Sequence, residues 1–274
     1  KKKHHTRNIL NLKKCSKNHK SSVHNYSKIN IITIKMINIQ NESSLHNSLK
    51  LYYANKFNGL TEVQKDGHIY DVIASNGHIY EIQTKNLSAL LPKIQDTIKR
   101  KNKITIVHPL IVTNKIYLTD ENGELISKRK SPKKGCIYDL FNELTKIYPV
   151  LLNKYFSLEV VLIDMIEHRI RTSNEVQSKN LRRRYKKNWL KVNKRLENII
   201  QTITFKTKKD YLALLPKDLP QEFSAKELKK ALQADKTIPS RAATLSHLII
   251  WVLFRMDLLI FTRVQNRSHY YSVK

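Results

Sequence analysis

The chain has 274 residues, with 51 Lys and Arg against 22 Asp and Glu, which gives a formal net charge of +29. This imbalance favours a polyanionic partner such as nucleic acid, bound through counterion release with a steep salt dependence. An AT-rich coding sequence is an alternative cause, because Lys, Asn and Ile are abundant and Gly occurs only five times. So few glycines disfavour a nucleotide-binding glycine loop, and the two Cys residues fit neither a disulfide framework nor a zinc site. We therefore expect a reducing, cytoplasmic location.

The N-terminal residues 1–35 are polar, basic and weakly periodic. They are interpreted as a disordered tail, or as sequence upstream of a true start at Met36. They contain no apolar segment of the length typical of a signal peptide. Near the other end, the apolar run 245–261 contains Arg255 and Asp257 and is shorter than a membrane span, which needs about 20 residues. We expect no membrane partner.

Apolar periodicity predicts the order helix, three strands, helix, strand in the N-terminal half of the chain. Pro109 is expected to end the last of these strands. The predicted ranges are about 42–54 for the first helix, 60–64 for the first strand, 70–85 for a two-stranded hairpin, 87–101 for the second helix and 103–109 for the last strand.

Residues 70–85 contain the strongest local signal, an Asn76-Gly77 turn between two segments of alternating apolar and polar residues. A two-residue loop would place Asp71 and Glu81 on opposite faces of the hairpin. A three-residue loop that ends in a left-handed Gly77 would instead set Asp71 directly opposite Glu81, with β-carbons about 5 Å apart.

In the three-residue register, Gln83 and Lys85 follow Glu81 on the same strand face. Like charges that face each other destabilise a sheet, so the pair Asp71 and Glu81 would need a compensating partner. Mg²⁺ is one candidate, because it binds carboxylate, phosphate and water oxygens and can polarise a phosphodiester and activate water. The alternative is a polar hairpin whose acidic groups face solvent.

The order helix-strand-strand-strand-helix-strand, with Asp71 on the second strand and Glu81-Ile82-Gln83 on the third, resembles the PD-(D/E)xK, or restriction-endonuclease-like, nuclease superfamily. The resemblance covers about residues 42–120, and Gln83 stands where Lys is usual, as in some restriction enzymes of the superfamily. It implies an α/β fold with an αβββαβ core and a mixed sheet. The chain also resembles an uncharacterised group of bacterial proteins that join such a domain to a C-terminal helical segment.

Carried over position by position, the resemblance implies that Asp71, Glu81 and the Ile82 carbonyl bind Mg²⁺ or Mn²⁺. Gln83 would orient the attacking water or a phosphate. Lys85 would supply the missing positive charge and stabilise charge in the reaction.

Two residues of the first helix could join this site. Glu42 matches the extra acidic residue that many members place near the metal, although acids at helix starts are also common for dipole reasons. His46 lies one turn later and could line the same cleft, but a lone helical His is more often structural.

Two basic clusters are candidates for nucleic-acid contact. The first is interpreted as a turn-rich loop before a helix, which suits phosphate contact, with a solvated loop as the alternative. The second mixes cations with Tyr185 and Trp189 and could lie along a backbone groove with aromatic stacking on bases; a solvated linker is the alternative. The apolar residues that follow, 189–200, could form a strand or hairpin. The cations are Lys128, Arg129, Lys130, Lys133 and Lys134 in the first cluster, and Arg182, Arg183 and Arg184 in the second.

The C-terminal segment is interpreted as a winged-helix-like module. Ser224 and Glu227 have capping-box spacing at the start of its first helix. Arg241 would begin the recognition helix and Arg267 would lie on the wing. In the alternative, the apolar second helix only packs in the core. The predicted ranges are 225–232 and about 241–256 for the helices, and 258–264 with 269–273 for the hairpin.

These patterns divide the chain into a tail (1–35), a nuclease-like domain (36–160), a basic connecting segment (161–209) and a winged-helix-like domain (210–274). They predict a Mg²⁺-dependent or Mn²⁺-dependent endonuclease acting on double-stranded DNA. Cutting both strands usually needs two active sites, which favours a homodimer. The alternatives are a catalytically inactive nuclease fold that binds nucleic acid as a regulator, and a protein-interaction platform.

Overall fold

The structure is a computed structural model that describes residues 44–179 and 181–274. The predicted tail and Glu42 lie outside the described residues. The N-terminal half has the predicted order of one helix, three strands, one helix and one strand. These elements are α1 (Ser44–Lys56), β1 (Leu60–Lys65), β2 (His68–Ile73), β3 (Ile79–Ile82), α2 (Leu91–Lys99) after a 3₁₀ turn at Leu87–Leu90, and β4 (Ile104–Thr119).

The rest of the chain adds two very long strands and a helical C-terminal part. Further 3₁₀ turns lie at Ile137–Leu140 and Tyr148–Val150. The elements are β5 (Leu125–Lys130), α3 (Phe141–Leu144), β6 (Phe156–Val176), β7 (Lys187–Phe205), α4 (Lys208–Leu212), α5 (Ala225–Ala234), α6 (Ser240–Ala243), α7 (Ser246–Arg255), β8 (Leu259–Gln265) and β9 (Ser268–Val273).

Seven of the described strands form one sheet in the order β1-β2-β3-β4-β6-β7, with β5 paired to the far half of β4. The pairs β1–β2, β2–β3, β4–β5 and β6–β7 are antiparallel, whereas β3–β4 and β4–β6 are parallel. The parallel β3–β4 pair is possible because α2 crosses over between the two strands. The predicted α/β class and mixed sheet are therefore confirmed.

Helices cover both faces of the sheet. Leu45, Leu49 and Tyr53 of α1 are buried against one face. Ile94 of α2 and Phe141 of α3 pack against the other face. The helix spacing of these apolar residues thus matches the faces that they bury.

Strand β4 does not end at Pro109, as the sequence suggested, but continues to Thr119. The backbone of Val107 points towards β3, since its carbonyl accepts the N–H of Gln83. Pro109 lies two residues later and points to the same side, where β3 has already ended at Ile82. The missing N–H of Pro109 therefore removes no ladder hydrogen bond.

The predicted boundary at residue 160 falls inside β6, and residues 161–209 do not form a connecting segment. Strand β6 pairs with β7 from Leu158↔Phe205 to Val176↔Lys187. Its first half is buried on both faces, which explains why it lacks the alternation of a half-exposed strand. We call the outer part of this pair, residues 164–198, the β6–β7 arm.

The C-terminal part contains the predicted capping box, because the backbone N–H of Ser224 donates to Glu227 Oε2 (2.8 Å). The helix predicted over 241–256 is divided into α6 and α7, and the hairpin β8–β9 follows as predicted. Val252 and Leu253 of α7 belong to the same buried cluster as sheet residues. This part of the chain thus shares a core with the sheet. Within the described residues, no helix is both long and apolar enough to span a bilayer.

Candidate active site

The hairpin β2–β3 has the three-residue loop that sets Asp71 opposite Glu81. Val72 pairs with Tyr80, and the Ala74 N–H donates to the His78 carbonyl (2.9 Å). Gly77 has the left-handed φ of 78° that this loop requires. The predicted register is therefore confirmed.

The two strands separate where these acids face each other. The backbone N–H of Asp71 donates to Glu81 Oε1 (3.0 Å), and the N–H of Ile82 donates to Asp71 Oδ2 (2.8 Å). Each carboxylate thus accepts a hydrogen bond from the backbone of the opposite strand. The sequence pattern predicted the facing pair but not this exchange of backbone for side-chain hydrogen bonds.

The neighbouring strand is distorted at the same level. In the β1–β2 register, Glu62 is the residue opposite Asp71, and it has a φ of 53°, which is unusual for a residue with a side chain. Its carboxylate accepts a hydrogen bond from the buried Lys50 of α1 (2.7 Å). Such backbone outliers concentrate at functional sites.

Lys93 of α2 supplies the cation of this site, and sequence reasoning missed it. Its Nζ lies 2.6 Å from Glu81 Oε1, and it also donates to the Ile69 carbonyl. The ammonium lies 4.6 Å from the centre of the Tyr70 ring, within cation–π range. The sequence signal that could have identified Lys93 is its position next to Ile94, on a helix whose apolar face had to pack on the sheet.

His46 joins the site from the other side of the sheet. Its Nε2 lies 3.4 Å from Asp71 Oδ2. Its position one helical turn after Glu42 had suggested this cleft.

The surroundings shift the pKa values of the two acids in opposite directions. Burial raises the pKa of Glu81, the negative charge of Asp71 raises it further, and Lys93 only partly opposes them. Burial also acts to raise the pKa of Asp71, but the interactions with His46, the Ile82 N–H and Lys93 outweigh it and lower the pKa. Because the two groups interact, they titrate as a pair in which Asp71 ionises first. Such a separation is typical of catalytic carboxylates.

Gln83 and Lys85 do not follow Glu81 on one strand face, so that prediction is wrong. Strand β3 ends at Ile82, and the chain then turns through Asn86, which has a left-handed φ of 57°. The side-chain amide of Gln83 donates to the Asn86 carbonyl (3.1 Å). Lys85 is exposed in this turn. The cation next to the acids is Lys93.

The donor atoms at this site fit Mg²⁺ or Mn²⁺ in part. The carboxylates of Asp71 and Glu81 and the Ile82 carbonyl are oxygen donors, and Mg²⁺ commonly binds one or two carboxylates plus water and phosphate. In the part of the chain that the structure describes, the polar contacts of the carboxylates use Asp71 Oδ2 and Glu81 Oε1, so each carboxylate has a second oxygen for a further ligand. Among residues 44–179 and 181–274, no three His, Cys, Asp or Glu side chains form a metal-binding group. The third predicted acid, Glu42, is outside those ranges.

The first basic cluster is not a loop throughout. Lys128, Arg129 and Lys130 belong to the exposed strand β5, and the ammonium of Lys128 lies 5.0 Å from the centre of the Tyr117 ring. The remaining two cations, Lys133 and Lys134, are exposed in the segment before the 3₁₀ turn at 137–140.

The second cluster forms the tip of the β6–β7 arm. Arg182 and Arg184 are exposed there. Arg183 instead binds within the arm, because it donates to the carbonyls of Val176 (3.3 Å) and Trp189 (3.2 Å). Hence these three arginines do not form a uniform binding surface.

Of the two C-terminal candidates, Arg241 is held by contacts within the protein and Arg267 is exposed. Arg241 forms an ion pair with Asp139, with a second contact of 2.8 Å between Nη2 and Oδ2, and also donates to the Lys134 carbonyl. It therefore connects α6 to the segment before α3. Arg267 is exposed in the turn of the hairpin β8–β9.

Comparison with known proteins gives a family. The chain belongs to the family described as "Domain of unknown function (DUF8091)", which matches residues 43–206, more than half of the chain. This range includes the sheet, the paired acids, Lys93 and the β6–β7 arm. An "Uncharacterized protein" of Treponema pallidum is 28% identical over 183 residues, which cover 66% of this chain and 68% of that protein. No solved structure matches the chain.

Proposed function

We propose that this protein is a metal-dependent phosphodiesterase, an endonuclease that acts on double-stranded DNA, with Asp71 and Glu81 at its active site. The observation that carries the proposal is the pair of facing carboxylates, Asp71 and Glu81, with Lys93 at 2.6 Å from one of them. The opposite directions of their pKa shifts support it. A restriction-endonuclease-like core is supported by the αβββαβ order and by the parallel β3–β4 pair after the hairpin. The net charge of +29 supports a polyanionic substrate.

The residues of this site have distinct roles in the proposal. Asp71, Glu81 and the Ile82 carbonyl would hold Mg²⁺ or Mn²⁺, which would polarise the phosphodiester and lower the pKa of a bound water. His46 keeps Asp71 ionised and oriented. Lys93 fixes the Glu81 carboxylate and places a positive charge where negative charge develops on the phosphate.

A second candidate function, a nucleic-acid-binding protein without catalysis, is favoured by two observations. Lys93 already pairs with Glu81, and the Gln83 amide binds the Asn86 carbonyl rather than facing the acids. In this case the cation replaces the metal as the partner of the facing carboxylates. The C-terminal helices and hairpin, as a winged-helix-like part, would then contribute to DNA binding.

Plasmid nicking distinguishes the two functions. The intact protein, Asp71→Asn and Glu81→Gln would be compared with Mg²⁺ and with Mn²⁺; both replacements keep the side-chain shape. Glu124→Gln, which changes an exposed acid outside the site, is the matched control. We expect cleavage by the intact protein and the control, and a loss of at least a hundredfold in both site variants. Analytical ultracentrifugation of the intact protein under the cleavage conditions would show whether it is a monomer or the expected homodimer.

Binding without cleavage under either metal would overturn the nuclease proposal and favour the second candidate. Filter binding adds an independent readout. We expect Asp71→Asn to bind DNA as well as the intact protein or better, because the change removes a negative charge near the phosphate. Weaker binding by this variant, with the fold intact by circular dichroism, would contradict a phosphate next to Asp71.

A further inference from the structure

The first turn of α1 lies between the candidate active site and the β6–β7 arm. Ser44 donates its hydroxyl to the Lys194 carbonyl on β7. Two residues later, His46 contacts Asp71. One turn of α1 thus contacts both the arm, through Ser44, and the paired acids, through His46.

Cations share one face of the arm next to this helix end, because the β6–β7 register sets Lys194 opposite Glu167 and Lys191 opposite Arg169. Burial lowers the pKa of Lys194, and the positive charges of Lys191 and Lys85 lower it further, with Glu167 opposing them. Lys85, in the turn after β3, therefore lies within electrostatic range of Lys194. Like charges on one face repel each other, and a bound polyanion would relieve that repulsion.

One buried acid holds two of the arm cations in place. Glu167 is only 3% exposed. It accepts hydrogen bonds from Arg169 Nε (2.7 Å) and forms an ion pair with Lys191. Cations fixed in advance lose less side-chain entropy when they bind a ligand.

The aromatic residue of this face is already covered by arginines. The guanidinium carbon of Arg169 lies 3.7 Å from the centre of the Trp189 ring, and that of Arg183 lies 4.1 Å from it. Two guanidinium groups this close to one ring have room only on opposite faces of the ring. Trp189 therefore cannot stack on a base without displacing an arginine, which argues against base recognition here.

We propose that this face of the arm binds the sugar–phosphate backbone of a nucleic acid, through Lys85, Lys191, Lys194 and Arg169, without reading its bases. The proposal rests on the proposed function, because the bound backbone is that of the strand that reaches Asp71 and Glu81. The arm holds the strand on one side of the site. Glu167 is a positioning residue for Arg169 and Lys191.

The test is the salt dependence of DNA binding, measured without divalent metal so that cleavage does not enter. Lys85→Gln with Lys191→Gln would be compared with Lys229→Gln with Lys230→Gln, an equal loss of charge on exposed positions of α5. Fluorescence anisotropy of a labelled duplex gives the slope of log affinity against log salt. Two lost phosphate contacts should reduce that slope by about 1.8 in the arm variant, with little change in the control.

An unchanged slope in the arm variant, or an equal reduction in the control, would overturn the proposal. Two duplexes of unrelated sequence should bind equally, and a strong preference would contradict backbone recognition. With Trp251→Phe, Trp189 is the remaining tryptophan of the chain. Its fluorescence should not be quenched by single-stranded DNA, and quenching would show base stacking instead. If the arm variant loses salt slope as expected but the intact protein does not nick plasmid, the nuclease proposal is refuted and the backbone-binding proposal stands.

Discussion

Replacing Lys93 with Met removes the cation that contacts Glu81 while keeping an unbranched side chain of similar length. The Glu81 side chain is 6% exposed and that of Lys93 is 19% exposed, so the pair is largely shielded from water. After the change, Glu81 keeps the N–H of Asp71 as a donor and still faces the Asp71 carboxylate. A buried negative charge then lies beside another one without its cation.

The expected cost follows from this burial. Removing one partner of a fully buried ion pair costs about 3–5 kcal/mol, and the remaining donor and partial exposure reduce this to about 2 kcal/mol near neutral pH. The loss of Lys93 raises the pKa of Glu81 further above its usual value. A group with a raised acid pKa destabilises the fold as pH increases, so the variant should lose more stability at higher pH.

Urea unfolding followed by tryptophan fluorescence measures this loss at about pH 5 and about pH 8. We expect a clearly smaller loss at the lower pH, where Glu81 is more protonated. Adding Glu81→Gln should recover part of the stability, because the amide needs no counter-ion; the double-mutant cycle gives the coupling. A loss that is equal at both pH values, or a coupling below about 0.5 kcal/mol, would refute the reasoning.

Three further changes test other parts of the structure. Gly77→Ala should lower the free energy of unfolding by about 1 kcal/mol through its left-handed backbone alone, because an added Cβ meets no atom within 4 Å; a larger loss would indicate a steric clash. Despite burial, Lys191 and Arg169 lower the pKa of Glu167, so Glu167→Gln should cost about 2 kcal/mol at neutral pH. That cost should vanish as acid protonates Glu167, and a pH-independent cost would contradict it. Arg241→Gln should cost about 1 kcal/mol in urea unfolding without changing the salt slope of DNA binding; a reduced slope would restore Arg241 as a DNA contact.

The parts of the fold that follow from local chemistry were predictable. The Asn76-Gly77 turn determines the hairpin loop, and period-two alternation then determines which residues face each other. The capping box at Ser224 marked a helix start for the same reason, because its partners are three residues apart. The register of Asp71 and Glu81 is therefore a local property of the sequence.

The long strands could not be predicted in the same way. The first half of β6 is buried on both faces, so the alternation that signals a strand is missing. Pro109 indicated a strand end, yet its effect depends on where a different strand, β3, stops. Residues 161–209 were interpreted as a basic connecting segment, with a strand or hairpin considered only for the apolar residues that begin at Trp189. In the structure, Glu167 and Trp189 instead bind several of the cations within the paired strands β6 and β7.

The residues of the site also differ in whether local sequence or long-range packing determines their position. Asp71 and Glu81 could be found because one turn determines their relative position. Lys93 could not, because it reaches Glu81 from a helix whose orientation depends on how Ile94 packs on the sheet. Lys85, chosen as the cation for its spacing, fails because β3 ends three residues before it.

The exchange of hydrogen bonds between β2 and β3 connects the stability of the fold to the proposed chemistry. Asp71 Oδ2 accepts the Ile82 N–H, and Glu81 Oε1 accepts the Asp71 N–H. Two apolar residues at these positions could not accept these bonds. Both acids are therefore held by the backbone before any ligand binds. His46 and the Ile82 N–H lower the pKa of Asp71 and so favour its ionised form, which a metal site would require. The strands thus fix the positions of both carboxylates. A bound cation would then mainly change the ion pair between Glu81 and Lys93.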